Sequence, residues 1–321
     1  MPAARTCRVV DRDGAAHADL DRATAERLLG AGFFWLDLRA PTPADLGVLR
    51  EVFDFHELAL EDTEQFGQGP KLEEYDNHAF AVLYGSAPDD DGLVEVHCYF
   101  SERFLVTVRR DASPALDALY TRYEHHEAPE TAIGLLHRLA DELVDSFFPA
   151  LERFDDRLDL IQDEMITRPK NEHLQDVFAM KRRVALLRRV IGPQRDLLGR
   201  ISSGNVDLPG LTPEAERYFG DVYDHLIRLT ETLDTHRDLM AASIDIYMSA
   251  SSHRMNEVMK QLTIVATIFL PLSFVTGFFG QNFPWLVGHL GGPWWFAGLG
   301  LGTQLLTLLL LLGWYRKRGW S

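Results

Sequence analysis

The chain has 321 residues, and its 48 Asp and Glu outnumber its 32 Lys and Arg to give a formal net charge of −16. Such an acidic surface repels nucleic acid and attracts cations, so nucleic-acid binding is disfavoured as a function. Cys7 and Cys98 are the only two cysteines, which argues against a disulfide-stabilised scaffold and fits a reducing compartment. An acidic surface is also ordinary for a soluble protein, so the charge alone assigns no function.

Residues 1–128 alternate between strand and helix patterns. Apolar and β-branched runs predict strands over 32–38, 79–84, 94–100 and 104–109. Helical periodicity predicts helices over 18–30, 42–53 and 113–125. The alternation predicts one α/β domain with a mixed or antiparallel sheet, large enough to bury its own core.

Residues 129–211 carry no strand pattern and are predicted to form an acidic helical hairpin. Two helices, over 131–166 and 172–201, are separated by Arg168-Pro169, because a proline disfavours helical backbone in the residue before it. After a break at 204–210, Thr212 is suited to cap a new helix with Pro213 at its first position.

This third helix forms a predicted stalk over 212–260 and meets no helix breaker before Pro271. A helix from residue 213 to residue 279 would be on the order of 100 Å long, which is improbable for an isolated globular helix. We therefore expect partner helices from further copies of the chain. Its apolar residues have helical spacing, with a gap around His236 and Met240. They are Val222, Leu226, Leu229, Leu233, Ile244 and Met248.

Two uncharged runs near the C-terminus predict a membrane hairpin. No Asp, Glu, Lys or Arg occurs from residue 261 to residue 315. A helix needs roughly 20 apolar residues to cross the hydrocarbon layer. The predicted segments are a first span over 261–282, an external loop over 283–293, a second span over 294–315 and a basic tail over 316–321.

Basic residues set the expected orientation in the membrane. Arg254 and Lys260 precede the first span, and the tail that follows the second span begins with Arg316-Lys317-Arg318. Because positive charge favours the cytoplasmic side, we expect both termini in the cytoplasm, the short loop outside, and a location in the plasma (inner) membrane.

One face of the first span has residues suited to a pore. Two spans cannot enclose a polar pathway, so a channel requires an oligomer. Steps of three and four put the residues on one side of a helix, and the face begins polar, becomes apolar and ends small. Helix packing in the bilayer gives the same pattern, and spacing alone does not separate the two interpretations. The face consists of Asn256, Met259, Leu262, Ala266, Leu270, Ser273 and Gly277.

The tripeptide Gly280-Gln281-Asn282 lies just beyond this predicted helix. Glycine permits a turn with exposed carbonyl oxygens, and asparagine adds a neutral amide oxygen. A ring of such oxygens can hold a cation through its water shell, which suits Mg²⁺ because that ion loses water reluctantly. Turns use glycine and asparagine widely, so the tripeptide alone assigns nothing.

In its context the tripeptide carries a resemblance to a known family. Residues 255–283 resemble the pore helix of the CorA family of divalent metal-ion (magnesium/cobalt) transporters. Residues 220–225 resemble that family's stalk motif, and residues 315–318 resemble its basic tail. The resemblance implies an α/β cytoplasmic domain, a long helical stalk and two C-terminal transmembrane helices, assembled as a funnel-shaped homopentamer in the lipid bilayer.

The resemblance also implies a function and its ions. The protein would be no enzyme but a channel or transporter for potential-driven Mg²⁺ uptake, with Co²⁺ and Ni²⁺ as further candidate ions. Gly280, Gln281 and Asn282 would form the selectivity filter, and the face from Asn256 to Gly277 would line the pore.

Gating by cytoplasmic Mg²⁺ is implied by three acidic residues. Glu61 and Asp62 match the family's acidic pair, and Asp221 matches the partner that meets this pair from the neighbouring subunit. A divalent cation between these carboxylates would stabilise a symmetric closed state. In the tail, Arg316, Lys317 and Arg318 would form a basic ring at the inner mouth, or serve only as the topology signal.

Two departures from the family pattern keep an alternative open. Gln281 stands where the family usually has methionine, and the loop from Phe283 to Trp294 has no acidic residue. The alternative is a Zn²⁺ transporter of the same architecture, with proton coupling. A third class, a membrane-anchored sensor or enzyme, would require a catalytic constellation that we do not find in residues 1–128.

Other acidic residues have two interpretations, weak cation sites or a solvated charged face. One set recurs every seven residues along the predicted stalk, and the other lies on the helix predicted over 131–166. The sets are Asp224, Glu231, Asp238 and Asp245, and Asp141, Glu142 and Asp145.

Overall fold

The computed structural model describes residues 5–11, 14–17, 19–88, 92–125, 131–281, 284–289 and 292–318. The chain divides into two compact units, Met1–Asp245 and Ile246–Ser321. The first unit contains a sheet, its helices and a helical hairpin, and the second contains the apolar helices. The predicted order of an α/β domain, a long helix and two C-terminal apolar helices is therefore confirmed.

Seven strands form one sheet in the first unit. They are β1 (Thr6–Asp11), β2 (Gly14–His17), β3 (Phe34–Arg39), β4 (Lys71–Glu74), β5 (Ala79–Ser86), β6 (Leu93–Phe100) and β7 (Phe104–Arg109). Their order across the sheet is β2-β1-β3-β7-β6-β5-β4. The pair β3–β7 is parallel and the other neighbouring pairs are antiparallel, so the sheet is mixed.

Two strands of the sheet, β5 and β7, are buried along their whole length. Every residue of β5 and β7 is buried, including the polar Thr107 and Arg109, so both faces of these strands are covered. Trp35 of β3 packs edge-on against Tyr120 and Tyr123, with ring centroids 6.5 Å apart in each pair. Phe55 stacks on Tyr99 of β6 at 4.2 Å.

Three strands, β1, β2 and β4, were not predicted. Of these, β2 and β4 are the edges of the sheet. The sequence of β4 is Lys-Leu-Glu-Glu, and charged side chains on an edge strand discourage pairing with another sheet. That polar composition hid β4 from a search for apolar runs.

Three of the four helices described in the α/β domain lie close to the predicted positions 18–30, 42–53 and 113–125, and the fourth contains the predicted acidic pair Glu61-Asp62. They are α1 (Arg22–Gly30), α2 (Pro43–Glu51), α3 (Glu57–Gln65) and α4 (Pro114–His125). Thr42 caps α2 in a capping box with Asp45, and Asp21 caps α1 by accepting the N–H of Thr24. These caps fix where both helices begin.

The helix predicted over 131–166 is instead two helices. The elements here are α5 (Ala132–Asp145), α6 (Phe147–Thr167) and α7 (Asn171–Ser202). Pro149 has no N–H to donate to the carbonyl of Asp145, so one helical hydrogen bond is missing at the junction of α5 and α6. Ser146, at the break, accepts the N–H of Ser86 at 2.8 Å. At Gly85 a Cβ would come within 2.7 Å of Leu143, so the break lies directly against β5.

The longest helix, α8 (Pro213–Phe279), buries a stripe in the first unit that differs from the predicted one. The predicted gap at His236 and Met240 is wrong, because these side chains are 1% and 0% exposed. Ile244 is only half-buried, and Met248 is 61% exposed. Steps of three and four connect the buried residues, which are Phe219, Val222, Leu226, Leu229, Leu233, His236, Met240 and Ser243.

Polar members of this stripe have partners on α6, which explains their burial. The ring of His236 stacks on Phe154 at 4.8 Å, and its Nε2 lies 2.5 Å from Asp155 Oδ1. Ser243 Oγ accepts a hydrogen bond from Gln162 Nε2 at 2.8 Å. A polar residue can therefore continue an apolar stripe when the facing helix supplies its hydrogen bond.

The second unit contains the C-terminal part of α8 and several shorter elements. These are α9 (Pro284–His289), α10 (Pro293–Trp295), a π-helical segment (Phe296–Leu301) and α11 (Gly302–Lys317). Two helices of the described residues are long and apolar enough to cross a membrane, Pro213–Phe279 and Pro293–Lys317. They contain the apolar parts of both predicted spans.

A buried ion pair joins the two parallel strands. Arg109 on β7 and Asp37 on β3 are 0% and 1% exposed, and Arg109 Nη2 lies 2.9 Å from Asp37 Oδ2. Burial alone would lower the pKa of Arg109, but the Asp37 carboxylate more than offsets it and raises the pKa. Thr107 Oγ1 lies 2.9 Å from the other Asp37 oxygen.

Substituting Arg109→Met should lower the free energy of unfolding by about 3–5 kcal/mol, because the Asp37 carboxylate would stay buried without its counter-charge. Thermal unfolding of the full chain in detergent measures the effect. Arg22→Met is the matched control, since the ion pair of Arg22 with Glu26 is exposed and should contribute less than about 1 kcal/mol. Equal effects of the two substitutions would contradict the assignment.

Candidate functional site

The face of α8 predicted to line a pore is uncovered in a single chain. Met259, Leu262 and Leu270 are 52%, 61% and 70% exposed. The other predicted members, Asn256, Ala266, Ser273 and Gly277, are exposed as well. Three members line one shallow groove, Leu262, Ala266 and Leu270. Apolar surface of this extent requires lipid or further protein around it, and its assignment to a pore stays a prediction because a pore needs several chains.

Hydroxyl groups along this part of α8 bond to the helix itself. Thr263 donates to the carbonyl of Met259 at 2.7 Å, and Thr267 donates to that of Thr263 at 2.7 Å. Thr276 donates to the carbonyl of Leu272 at 2.9 Å. The threonines are thus compatible with a hydrocarbon surrounding, where every polar group needs a partner within the protein.

The predicted filter begins where α8 ends. Gly280 N–H donates to the carbonyl of Thr276 at 2.9 Å, and Gln281 N–H donates to that of Phe278 at 3.3 Å. The C-terminal end of a helix has carbonyl groups without helical partners and the negative end of the helix dipole, and both attract cations. Asn282, the third filter residue, lies outside the described residues.

The basic tail follows the second apolar helix. Arg316 and Lys317 lie in the last turn of α11, where positive charge is favourable to the helix dipole. The Arg318 guanidinium lies 4.7 Å above the ring of Trp314. All three basic side chains are exposed. Their proposed ring would need several chains and stays a prediction.

A group of potential metal ligands lies between α5 and α8 in the first unit. Each helix contributes two residues four apart, and therefore on one face: Asp141 and Asp145 from α5, and Asp221 and His225 from α8. Three of these residues each place one potential ligand atom within 4.8 Å of the other two: Asp141, Asp145 and His225. Asp221 Oδ2 lies 4.0 Å from His225 Nε2. We call these four residues the α5–α8 cluster.

Electrostatics in the α5–α8 cluster favour an added cation. Burial, and then the charge of Asp145, raise the pKa of Asp141, so its negative charge lacks full compensation. His225 Nδ1 lies 3.0 Å from Asp145 Oδ1. Carboxylates suit Mg²⁺, whereas an imidazole is a better ligand for Co²⁺, Ni²⁺ and Zn²⁺. The donor set therefore fits a divalent cation without selecting among these ions.

The second predicted group of acidic ligands, Glu61 and Asp62, lies on α3. Glu61 is exposed and accepts a hydrogen bond from Gln65 at 3.1 Å. Asp62 is half-buried, and Lys71 Nζ lies 2.5 Å from its Oδ2 and 2.9 Å from Glu73 Oε1. Burial alone would lower the pKa of Lys71, but hydrogen bonds to the two carboxylates raise it overall. Asp62 therefore already has a cationic partner.

Helix α3 is fixed to the sheet by a buried polar network. Thr63 Oγ1 lies 2.7 Å from His97 Nδ1 and 2.6 Å from the Tyr99 hydroxyl. His97 Nε2 lies 2.7 Å from Glu95, which also accepts two backbone N–H groups just after α3. Since Thr63 follows Asp62 directly, the network holds the acidic pair at a constant position.

One chain does not bring the three predicted regulatory acids together. Asp221 lies in the α5–α8 cluster, whereas Glu61 and Asp62 lie on α3, and their contact between subunits stays a prediction. His225 was missed as a candidate ligand because it is 80 residues from Asp145 in the sequence. The sequence could have indicated His225 as a ligand, because it lies four residues after Asp221 and therefore on the same face of the helix.

The remaining acidic residues show no comparable grouping. Within the described ranges, the three ligand atoms of Asp141, Asp145 and His225 form the single metal-competent group. Glu142 instead pairs with Arg122 at 2.6 Å, and Asp238 pairs with Arg237 at 2.9 Å. The four residues spaced by seven along α8 are exposed, as a solvated charged face would be.

Substituting Lys71→Met should make the stability of the chain depend on divalent cations. The substitution leaves the Asp62 and Glu73 carboxylates close together without their shared ammonium group, which destabilises the fold in chelator. Millimolar Mg²⁺ should restore much of the lost melting temperature by taking the place of the ammonium. The control is Lys181→Met, at an exposed position of α7. A loss of stability that Mg²⁺ does not reverse would contradict the prediction.

Comparison with known proteins identifies the family of the chain. A family model described as "CorA-like Mg2+ transporter protein" matches residues 30–318. The chain is 34% identical over 290 residues to the putative metal ion transporter YfjQ of Bacillus subtilis, covering 90% of each chain. It is 33% identical over 278 residues to the cobalt/magnesium transport protein CorA of Thermotoga maritima, covering 84% of this chain and 78% of that one.

A solved structure has the same fold over the full length. The complete structure of the CorA magnesium transporter from Methanocaldococcus jannaschii superimposes with a TM-score of 0.81 and 20% identity, covering 100% of both chains. The family match spans most of the chain, from the third strand of the sheet region to the basic tail. The chain belongs to the CorA family of divalent metal-ion transporters, which are membrane proteins rather than enzymes.

Proposed function

We propose that this protein is a homopentameric channel for potential-driven uptake of Mg²⁺, regulated by divalent cations in the cytoplasm. The observation that carries the proposal is the exposed, uncharged face of α8, which leads directly to the turn at Gly280 and Gln281. Five copies of this face around an axis would enclose a pathway that two spans cannot enclose alone. The names of its relatives support Mg²⁺ and Co²⁺ as cargo.

The driving force would be the membrane potential. Both basic segments flanking the spans favour a cytoplasmic location of the termini. A divalent cation moving inward then gains about 4.6 kcal/mol per 100 mV, twice the value for a single charge. No further energy source is required for uptake.

At the filter, selection would act on a hydrated ion. The helix ends of five α8 copies would present carbonyl oxygens, and Asn282 would add neutral amide oxygens. Neutral oxygens hold the water shell of Mg²⁺ without removing it. Gln281 supplies a further amide where the family usually has methionine, and this keeps Zn²⁺ as the alternative cargo.

Regulation would use the carboxylates of the first unit. A cation in the α5–α8 cluster would hold α5 against α8, since each helix supplies ligands. A second cation would bind where Asp62 and Glu61 of one subunit meet Asp221 of the next, in competition with Lys71. At low cytoplasmic Mg²⁺, both groups would lose the bridging cation, Asp62 would keep only Lys71 as its partner, and the pathway would open.

Replacing Asn282→Ala should lower Mg²⁺ entry into liposomes with a negative-inside potential by about tenfold or more, because each subunit loses one oxygen facing the hydrated ion. Entry of Mg²⁺ and Zn²⁺ is followed separately, with and without a pH gradient. Thr307→Val serves as the matched control, since this hydroxyl donates within its own helix to Thr303.

Unchanged entry through the Asn282→Ala variant would refute the filter assignment. Zn²⁺ entry that follows the pH gradient, with little Mg²⁺ entry, would establish the alternative cargo. In that case Gln281→Met should restore Mg²⁺ entry if the filter decides the ion.

Asp145→Asn and Asp221→Ala should each raise the cytoplasmic Mg²⁺ concentration needed for half-inhibition by about tenfold, the usual range for a lost metal-binding group. Glu231→Gln, an exposed acid on the same helix as Asp221, is the control for the loss of one negative charge. Inhibition unchanged in both cluster variants would place the regulatory cation elsewhere.

A further inference from the structure

A hydrogen bond joins the two apolar helices of the second unit. Gln304 Nε2, on α11, donates to Thr276 Oγ1, on α8, at 2.8 Å. The two residues are 28 positions apart in the sequence. Both lie within the segments long and apolar enough to span a membrane. The sequence analysis gave Gln304 no role.

An amide group at such a position has an energetic cost. Polar side chains in the hydrocarbon layer are unfavourable unless they find partners inside the protein. Gln304 stands between threonine and a run of leucines, and a leucine at this position would span the membrane better. The hydrogen bond to Thr276 offsets this cost. The Thr276 hydroxyl has one partner on each helix, because it donates to the carbonyl of Leu272 on α8 and accepts from Gln304 on α11.

A π-helical segment precedes Gln304 by three residues. The segment is Phe296–Leu301, and regular α-helix resumes at Gly302. Its wider turn changes the direction of the side chains that follow it, relative to a continuous α-helix. Such segments are rare and are frequent at functional sites. The direction of the Gln304 side chain therefore depends on this segment.

The backbone of Thr276, the acceptor residue, is hydrogen-bonded to Gly280, the first residue of the predicted filter. Its carbonyl accepts the N–H of Gly280 at 2.9 Å. A Cβ at Gly280 would come within 3.2 Å of that same carbonyl oxygen, so the contact is close. By helical geometry Thr276 lies about 60° around the helix from Ser273, at the side of the predicted pore face. Gln304 can therefore hold this turn without entering the pathway.

The helix α8 lacks one backbone hydrogen bond shortly before the turn that Gln304 contacts. Pro271 lies five residues before Thr276 and lacks the N–H that would continue the helical bonds. A helix is most easily bent at such a residue. A second attachment beyond Pro271 would limit bending of the segment between Pro271 and Gly280.

We propose that Gln304 is a positioning residue for ion discrimination, which fixes the last turn of α8, and with it the Gly280–Gln281 filter turn, through Thr276. The role rests on the proposed channel function. Gln304 contacts no ion and acts through Thr276 alone. Its loss should let the five filter turns adopt different orientations, which lowers selectivity more than total entry.

The test compares ion ratios in liposomes with a negative-inside potential. Gln304→Leu and Thr276→Val should each change the ratio of Mg²⁺ to Zn²⁺ entry by about three- to tenfold toward equal entry, the range expected for one interhelical hydrogen bond in a membrane. The double variant should change the ratio no more than either single variant. Thr276→Ser keeps the hydroxyl and should retain the native ratio. Thr307→Val is the control for the loss of a hydroxyl within one helix.

A ratio within twofold of the native value in Gln304→Leu, or additive changes in the double variant, would overturn the proposal. A structural defect alone would lower entry of both ions equally and leave their ratio unchanged, which also counts against the role.

Cross-linking separates this inference from the channel function. In the full chain carrying Thr276→Cys and Gln304→Cys, a mild oxidant should join the two cysteines, detected as a linked peptide by mass spectrometry. Absence of the link refutes the contact whatever the protein transports. If the link forms but the native protein passes no divalent cation, the channel function fails, and the role of Gln304 in selection fails with it.

Discussion

A hydrocarbon layer offers no hydrogen bonds, and this constraint governs the second unit. Hydroxyl groups on α8 donate back to their own helix, and the segment from residue 261 to residue 315 contains no Asp, Glu, Lys or Arg. Polar groups that could face an ion are found where the helix ends, at Gly280 and Gln281. Gln304 obeys the same constraint by bonding to Thr276. The ion-selective chemistry that we propose therefore involves a few residues beside a helix terminus.

Charge is concentrated in the part of the chain outside the spans, and its carboxylates occur in two different settings. In the α5–α8 cluster, Asp141 and Asp145 face Asp221 and His225, and burial, followed by the charge of Asp145, raises the pKa of Asp141. On α3, Asp62 is already neutralised by Lys71. A cation joining the first group adds a missing charge, whereas one joining Asp62 must displace an ammonium group. The two settings would respond to different cation concentrations.

Sequence patterns predicted the large features and missed those that depend on distant contacts. The sheet strands with apolar runs, the long α8 and both apolar segments were predicted, because their signals lie within short windows. The burial of His236 could not be predicted, since it depends on Phe154 and Asp155 of another helix. His225 was missed for the same reason. The face of α8 that would line a pore was proposed from its spacing, and its role depends on further copies of the chain.

The break between α5 and α6 has a mechanical consequence. Asp145, a member of the α5–α8 cluster, directly precedes Ser146, whose hydroxyl is hydrogen-bonded to the backbone of β5. A cation that draws Asp145 toward α8 would therefore act one residue away from Ser146, which is hydrogen-bonded to the seven-stranded sheet. Because Leu143 lies against Gly85 with no room for even a methyl group, α5 cannot slide along the strand. If the cluster binds an ion as we propose, the resulting force on Asp145 would therefore be shared with the sheet and would not act on α5 alone.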